Sequence, residues 1–257
     1  MSDAGQHDDG PALVTGSSRR IGLAIAERLA REGRPVVLHA SPRSADEAEL
    51  AAHAIRLRGG RAASAIAELA DAAATQRLIA EAGAAFGPLR LLVNNASIFE
   101  VDAAADFPLE TYERQMAVNL RAPLLLARDF AAALPPVGEG AIVNIIDQRV
   151  WRLTPLHFSY TLSKSALWTA TRTMAQAFAP RIRVNAVGPG PVFPNPALGE
   201  REFETEARGV PLEHAADVAG VADAVVYLAK AKSVTGQMIA VDAGQHLAWR
   251  TPDVASE

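Results

Sequence analysis

The chain has 257 residues, with 25 lysines and arginines against 29 aspartates and glutamates, a net charge of -4, and 49% hydrophobic residues. That is apolar material for one large or two small cores, which excludes a disordered chain, and the mild acidity excludes a general nucleic-acid binder, which needs concentrated basic surface. No cysteine is present, so disulfides, thiolate catalysis, iron–sulfur clusters and cysteine-ligated zinc are excluded as well.

Residues 1–10 are polar and acidic, and are expected to form a flexible arm rather than a secretory or transit leader. A short strand follows at 11–15. A tight turn at 16–20 leads into a helix over 21–31. Gly33 and Pro35 punctuate before a second strand at 36–39. Helical spacing covers 44–58 and stops at Gly59-Gly60. A strand at about 62–67 and a helix near 72–86 come next, closed by Gly87-Pro88. The strand 89–93 runs into Asn94-Asn95. A long helix is predicted over 109–134, ending before Pro135-Pro136. The strand 141–146 ends at Asp147, and a helix covers 159–179. The strand 182–187 precedes Gly188-Pro189-Gly190-Pro191. Residues 191–212 are rich in proline, glycine and glutamate. A helix near 215–230 and a last strand at 237–241 complete the pattern.

Short apolar strands alternating with helices predict a parallel sheet covered on both faces. No linker breaks the alternation. One doubly wound α/β domain over 11–249 is therefore expected, with about seven strands and a tail at 250–257. No apolar run reaches the roughly 20 residues of a membrane helix. A cytoplasmic protein with neither membrane nor nucleic-acid partner is expected. The six histidines are scattered, with no His-x-x-x-His, so no metal site is indicated.

In a doubly wound sheet, ligands bind beyond the carboxyl ends of the strands. Thr15-Gly16-Ser17-Ser18-Arg19-Arg20-Ile21-Gly22 lies at the first such edge. Gly16 permits a tight turn. Gly22 permits close approach of the helix. The free N–H groups at the helix start suit a diphosphate. A plain Gly–Ser turn capping a helix is the competing reading, because neither GxGxxG nor GxxxxGK[ST] is present. At the second strand's end, no acid suited to ribose hydroxyls occurs before Asp46, which belongs to the next helix. Arg20, Ser41, Arg43 and Ser44 can instead bind a 2′-phosphate, because the planar arginine fork donates several hydrogen bonds at once. This favours NADP(H), although Arg43 also reads as an ordinary loop arginine. His39 reads equally as an adenosine neighbour or as a packed structural histidine.

Five elements in order resemble the short-chain dehydrogenase/reductase family: Thr15-Gly16 with Gly22, Asn94-Asn95-Ala96, Asn119 in a long helix, Tyr160-x-x-x-Lys164, and Pro189-Gly190 after a strand. The resemblance covers about 11–249 and implies a Rossmann-type fold. It implies that Tyr160 donates a proton. Lys164, on the same helix face, would lower the tyrosine pKa and bind the nicotinamide ribose. Asn119 would hold the helix and a relay water. Asn94 and Ala96 would line the cofactor. Gly16, Ser18, Arg19, Arg20, Ile21, His39, Ser41, Arg43, Ser44, Glu68, Leu69, Asn95, Ala96, Ser97, Tyr160, Lys164, Pro189 and Gly190 form the expected cofactor set.

Three departures narrow the resemblance. Asp147 stands where the family usually has a serine, thirteen residues before the tyrosine. Arg20 replaces the middle glycine of the first turn. Asn-Asn-Ala-Gly becomes Asn94-Asn95-Ala96-Ser97, followed by Ile98-Phe99. All three match the pteridine reductases and the related dihydromonapterin and dihydrofolate reductases. The resemblance then implies a pterin sandwiched between Phe99 and nicotinamide. Ser97 and Arg20 would satisfy its polar edge, and Asp147 and Tyr160 would serve protonation. Phe99 packed on the core, and Asp147 as a strand-end cap, remain the alternatives. A carbonyl or 3-oxoacyl reductase is the rival activity. A nucleotide-binding protein without catalysis is a third reading, which the intact Tyr160–Lys164 pair opposes.

The stretch 193–211 is expected to form a lid over the substrate, lined by Phe203, Val210 and Leu212. Trp151 and Arg152 are expected to touch substrate or a neighbouring subunit. The family commonly forms tetramers through the helices holding Asn119 and Tyr160. A homotetramer is therefore expected, packed through 165–179 and 241–249.

Overall fold

The computed structural model describes residues 10–194 and 199–249. The expected arm and tail lie outside the described residues, apart from Gly10, as does part of the expected lid. Seven parallel strands form one sheet in the order β3-β2-β1-β4-β5-β6-β7. They are β1 (Ala12–Val14), β2 (Val36–Ala40), β3 (Ala62–Ile66), β4 (Leu91–Asn94), β5 (Gly140–Ile145), β6 (Ile182–Pro189) and β7 (Met238–Val241). Strands β1, β2, β4 and β5 are buried throughout, which is why their sequences run apolar rather than alternating.

Successive side chains of a strand still go to opposite faces. Ala12, Val14, Leu91 and Val93 pack on one face with Ile25 and Leu29 of α1 (Arg20–Arg31), Ile55 of α2 (Ala45–Leu57) and Val221, Val225 and Leu228 of α8 (Val218–Lys230). Leu13 and Leu92 pack on the other, with Leu78 and Ile79 of α3 (Ala72–Phe86) and Leu126 and Phe130 of α5 (Ala122–Ala133). The single doubly wound domain is thus the observed architecture.

Two elements differ from the sequence expectation. The long helix over 109–134 is divided into α4 (Leu109–Met116), a π-helical turn (Ala117–Arg121) that carries Asn119, and α5. The stretch expected to be irregular contains α7 (Glu200–Arg208), whose only buried residue is Ala207. Its sequence, EREFETEAR, sets seven polar residues around Phe203 and Ala207, so its apolar face is confined to that one pair. The strand order reverses direction between β1 and β4, so the ends of these two strands open the crevice in which the site lies. Helix α6 (Phe158–Phe178) brings Tyr160 and Lys164 of its first turns to that crevice, beside Asn95 and Ser97.

Candidate active site

The turn after β1 is pinned from two neighbouring strands. Thr15 Oγ1 accepts from the backbone N–H of Asn95 (2.9 Å) and Ala96 (3.0 Å). Asn95 Nδ2 donates back to the carbonyls of Thr15 (2.8 Å) and Gly16 (2.9 Å). From the other side, the Gly16 N–H donates to His39 Nδ1 at 3.1 Å. Gly16 is left-handed, with φ 61°. A Cβ on Gly22 would stand 2.3 Å from the Gly16 carbonyl oxygen, so only glycine lets α1 start this close to the turn. No side chain caps the first N–H groups of α1. They are therefore available to an anion, which makes the turn fit a dinucleotide diphosphate.

His39 answers the question left open by the sequence. It is buried, its Nδ1 is taken by Gly16, and its Nε2 faces the Ala67 carbonyl at 3.1 Å. Burial pushes its pKa down to about 4, so the ring is neutral and donates from Nε2. Both polar atoms are used internally. His39 shapes the turn and offers no hydrogen bond to a ligand.

The adenosine end also departs from expectation. The sequence places no acid at the end of β2, yet the fold brings one in from α2. Glu47 accepts from Ser18 Oγ at 3.3 Å and lies 3.8 Å from Arg19. Arg20, left-handed at φ 54°, instead reaches the Pro194 carbonyl (3.1 Å) and covers the Phe193 ring. Arg43 is exposed, and Ser41 and Ser44 flank it. Leu69 is buried, and Glu68 accepts from the Ala70 N–H (3.2 Å). Arg19 and Arg20 thus turn to partners in different elements rather than closing on one point.

The side chains expected to react gather at the ends of β4, β5 and β6. A cavity of about 160 Å³ is lined by Ile21, Asn95, Ser97, Asp147, Tyr160, Lys164, Pro189 and Gly190, together with Ile145 and Ile146. Tyr160 and Lys164 share one face of α6 because they are four residues apart. Tyr160 Oη donates to Asp147 Oδ2 at 2.9 Å, and Lys164 Nζ donates to the Ile145 carbonyl at 2.9 Å. Asn119 Nδ2 donates to Ser163 Oγ (3.2 Å) on α6 and to the Ile98 carbonyl (2.9 Å). Its Oδ1 accepts from the Ile98 N–H (2.8 Å) and Ser97 Oγ (3.1 Å). Asn119 therefore ties the loop after β4 to α6.

The electrostatics reverse one expectation. Tyr160 is pushed well above the usual phenol pKa, first by burial and then by the Asp147 carboxylate, against an opposing pull from Arg149. Lys164 Nζ lies 5.7 Å from the Tyr160 ring centre, and the net shift is still upward. Burial lowers Lys164 itself to about 8, with Asp147 pulling the other way. The resting site therefore holds Tyr160 as a protonated donor rather than as a phenolate.

Phe99 is flanked by three other side chains. His157 stacks on it with ring centres 4.3 Å apart and planes inclined by 26°, and Tyr160 meets it edge-on at 4.6 Å. The Arg149 guanidinium lies 5.5 Å from its centre and pairs with Asp147 at 3.2 Å. Among the expected lid residues, Val210 is buried and Leu212 is 62% exposed. Trp151 packs edge-on against Trp168 and His246.

A family model described as enoyl-(acyl carrier protein) reductase matches residues 16–246. A short-chain type dehydrogenase/reductase of Picea abies is 34% identical across 91% of this chain and 91% of its own. The chain belongs to the short-chain dehydrogenase/reductase family. Several of its relatives carry the names of folate and pterin reductases. The crystal structure of FolM alternative dihydrofolate reductase 1 from Brucella canis, complexed with NADP, is 48% identical, with a TM-score of 0.92 over 96% of this chain and 98% of that one. The Brucella suis counterpart, also with NADP, is 50% identical at the same TM-score, covering 95% and 98%. A dihydromonapterin reductase of Klebsiella pneumoniae is 31% identical over 92% of this chain and 97% of its own.

Read as a member of this family, the chain is an oxidoreductase, and three of its site residues escape motif reasoning. Arg149 follows Asp147 by two positions, but only the 3-10 turn Gln148–Val150 aims it back at the carboxylate. His157 carries no motif at all. Glu47 comes from a neighbouring helix. Of the three, only Arg149 carried a signal: a charged partner close to an unusual acid.

Proposed function

We propose that this protein is an NADPH-dependent reductase of pterins, taking a dihydropterin, dihydromonapterin or dihydrofolate to its tetrahydro form. The observation that carries this reading is Asp147 held against Tyr160 Oη at 2.9 Å, with the Phe99 ring 4.6 Å from the same tyrosine. In a ketone reductase a carboxylate here opposes the negative charge that develops on the carbonyl oxygen. A pterin ring nitrogen gains basicity as the neighbouring carbon is reduced, and a donor flanked by an acid suits it.

The uncapped start of α1, the Gly22 approach and Lys164 fit NADP(H). Ser18, Arg19, Ser41, Arg43 and Ser44 would hold its 2′-phosphate, and Lys164 its nicotinamide ribose. When bound, the reduced cofactor supplies the hydride. Tyr160 Oη holds the proton that goes to the substrate nitrogen. Asp147 orients the phenol by accepting its hydrogen bond. Phe99 offers a flat apolar surface to a bicyclic ring, and Ser97 and Arg20 offer hydrogen bonds to its polar edge. Within the expected lid, α7 and the residues that follow it to Pro211 would cover the substrate and exclude water. A homotetramer packed through the helices that hold Asn119 and Tyr160 is part of the same reading.

Steady-state NADPH oxidation with 7,8-dihydrobiopterin, dihydromonapterin and dihydrofolate tests it, beside a panel of ketones and 3-oxoacyl thioesters. Turnover of at least one pterin is expected. Brisk ketone turnover with none of the pterins reduced would sink the proposal and leave carbonyl reduction in its place.

A further inference from the structure

The donor pair belongs to a longer chain of charges. Arg149 Nη1 donates to both Asp147 oxygens, at 3.2 and 3.4 Å, and its backbone N–H donates to Asp147 Oδ1 at 2.8 Å. On its other side, Arg149 Nη2 lies 3.5 Å from Glu206 Oε1 of α7. Glu206 also accepts from Gln245 Nε2 at 2.9 Å, in the turn after β7. One largely buried guanidinium thus joins the end of β5, the Phe99 loop, α7 and the C-terminal turn.

This matters because α7 has little else to hold it. Only Ala207 of its nine residues is buried, and its first turn carries Glu200 and Glu202. A helix with so little apolar contact is seated by its polar contacts, and those lie at the low end of local stability. Glu206 is the α7 residue that meets the catalytic cluster. Arginine is also the residue type that serves two carboxylates at once. Its planar fork presents separate donors to Asp147 and to Glu206, whereas a lysine ammonium is a single point charge.

We propose that Arg149 is a positioning residue: it fixes Asp147 as the acceptor for Tyr160 and, through Glu206, seats α7 against that arrangement. The inference rests on Tyr160 as proton donor in a reductase, and not on which substrate is reduced. It carries a specific consequence. Glu206 pairs with Arg149 and Gln245, so its loss loosens α7 while Arg149 still holds Asp147.

The test is steady-state kinetics of the full chain with NADPH and 7,8-dihydrobiopterin, comparing the unmodified enzyme with Arg149→Gln, Arg149→Lys, Glu206→Gln and the double variant Arg149→Gln/Glu206→Gln. We expect Arg149→Gln to lower kcat about 100-fold, and Arg149→Lys to recover it to within about fivefold, because the charge beside Asp147 is restored. Glu206→Gln raises KM about fivefold with kcat nearly unchanged, Arg149→Lys shows the same rise, and the double variant is no worse than Arg149→Gln, as coupling through one residue requires. NADPH affinity, read by fluorescence titration, stays constant and reports folding. If Arg149→Gln does not bind NADPH, Arg149→Lys and Glu206→Gln decide the matter between them. Losses that simply add, an unchanged KM in Glu206→Gln, or an Arg149→Lys as impaired as Arg149→Gln would each overturn the proposal. If the unmodified enzyme reduces only a ketone, the pterin reading falls, and the same variants on that ketone still decide the role of Arg149.

Discussion

Asp147 accepts the Tyr160 hydroxyl hydrogen at 2.9 Å, across the thirteen residues that separate the end of β5 from the first turn of α6. The pair is enclosed: Tyr160 is buried, and Asp147 is nearly so. A phenol in such a place pays for ionisation twice, in lost solvation and in repulsion from the carboxylate. The site is therefore set to keep a proton on Tyr160 Oη until a basic atom arrives to take it.

Replacing Asp147 by serine separates the two candidate chemistries. Pterin turnover should fall by about 100-fold or more in kcat/KM, within the range for a group that supports proton transfer. Any ketone turnover should hold or improve. The sign of the pH effect is fixed by the Tyr160 shift. The carboxylate raises the phenol pKa, so its removal brings the pKa down, and the basic limb of the kcat profile moves to lower pH. An unmoved basic limb would mean that Asp147 does not bear on the phenol.

Lys164 gives a second pH signature. Its folded pKa is about 8, below the ordinary 10.5, because burial disfavours the ammonium. The unfolded chain therefore binds more protons between pH 8 and 10.5, and stability attributable to this group rises with pH across that window. The full effect is about 3 kcal/mol at 1.36 kcal/mol per pKa unit. Denaturant melts at pH 8 and 10 should show the gain in the unmodified protein and lose it in Lys164→Met. The ammonium is lost in the same window, so KM for NADPH should rise as pH passes 8.

His39 acts on the acid side. Its pKa falls from 6.5 in the unfolded chain to about 4 in the fold, with burial as the main cause. The neutral ring is what Gly16 and Ala67 require. Its stabilisation is complete above pH 6.5 and is lost as pH falls from 6.5 to 4, by about 3 kcal/mol in total. Denaturant melts at pH 7 and 4.5 measure this. A His39→Gln variant should lose that acid-dependent component, because the amide does not titrate.

Glu47 bears on the cofactor rather than the fold. Its carboxylate engages Ser18 and Arg19, the groups proposed to meet a 2′-phosphate. Glu47→Gln removes a negative charge from that place. KM for NADPH should fall two- to fivefold at low salt, with the advantage fading above about 0.5 M as exposed charges are screened. KM for NADH should stay as it is. An equal change for both cofactors would place Glu47 away from the phosphate.

These predictions draw on residues of unequal visibility in the sequence. β2 and β5 were legible because strands buried on both faces read as unbroken apolar runs. Tyr160 and Lys164 were legible because a helix repeats its face at four residues. Gly22 was legible because close approach of two backbones demands glycine. Arg149, Glu47 and His157 were not, since each meets its partner through a turn direction or a neighbouring element that no periodicity encodes. The expected drop in the Tyr160 pKa failed for a related reason. Motif spacing placed Lys164 on the right face, but the Nζ contact to the Ile145 carbonyl and the burial of both groups are properties of the packed site. The π-helical turn at Asn119 was hidden because its one-residue shift in hydrogen bonding leaves the helical composition unchanged.

His157 offers the last test, because its backbone and its ring can be varied apart. Its φ of 58° lies in the left-handed region, where asparagine and histidine are tolerated better than most residues. The chain is held there by Asp102, whose carbonyl accepts from the Phe158 N–H (3.3 Å) and whose carboxylate accepts from the Ser159 N–H (3.1 Å) and from Ser159 Oγ. The Ala103–Leu156 bridge closes the same clamp. His157→Asn preserves the backbone and removes the ring from Phe99. Thermal stability should change by less than about 1 kcal/mol, since one exchange of stacked rings is worth about that much. KM for the pterin should rise five- to tenfold with kcat within about twofold, as expected when a binding surface is loosened and the proton donor is left in place. Asp102→Ala should behave differently. It removes the acceptor for the Ser159 N–H at the start of α6, costs about 1–2 kcal/mol as lost caps do, and lowers kcat as well, because Tyr160 lies one residue further along the same turn. Melting curves and paired kcat and KM values for the two variants distinguish a support for the substrate ring from a support for the helix.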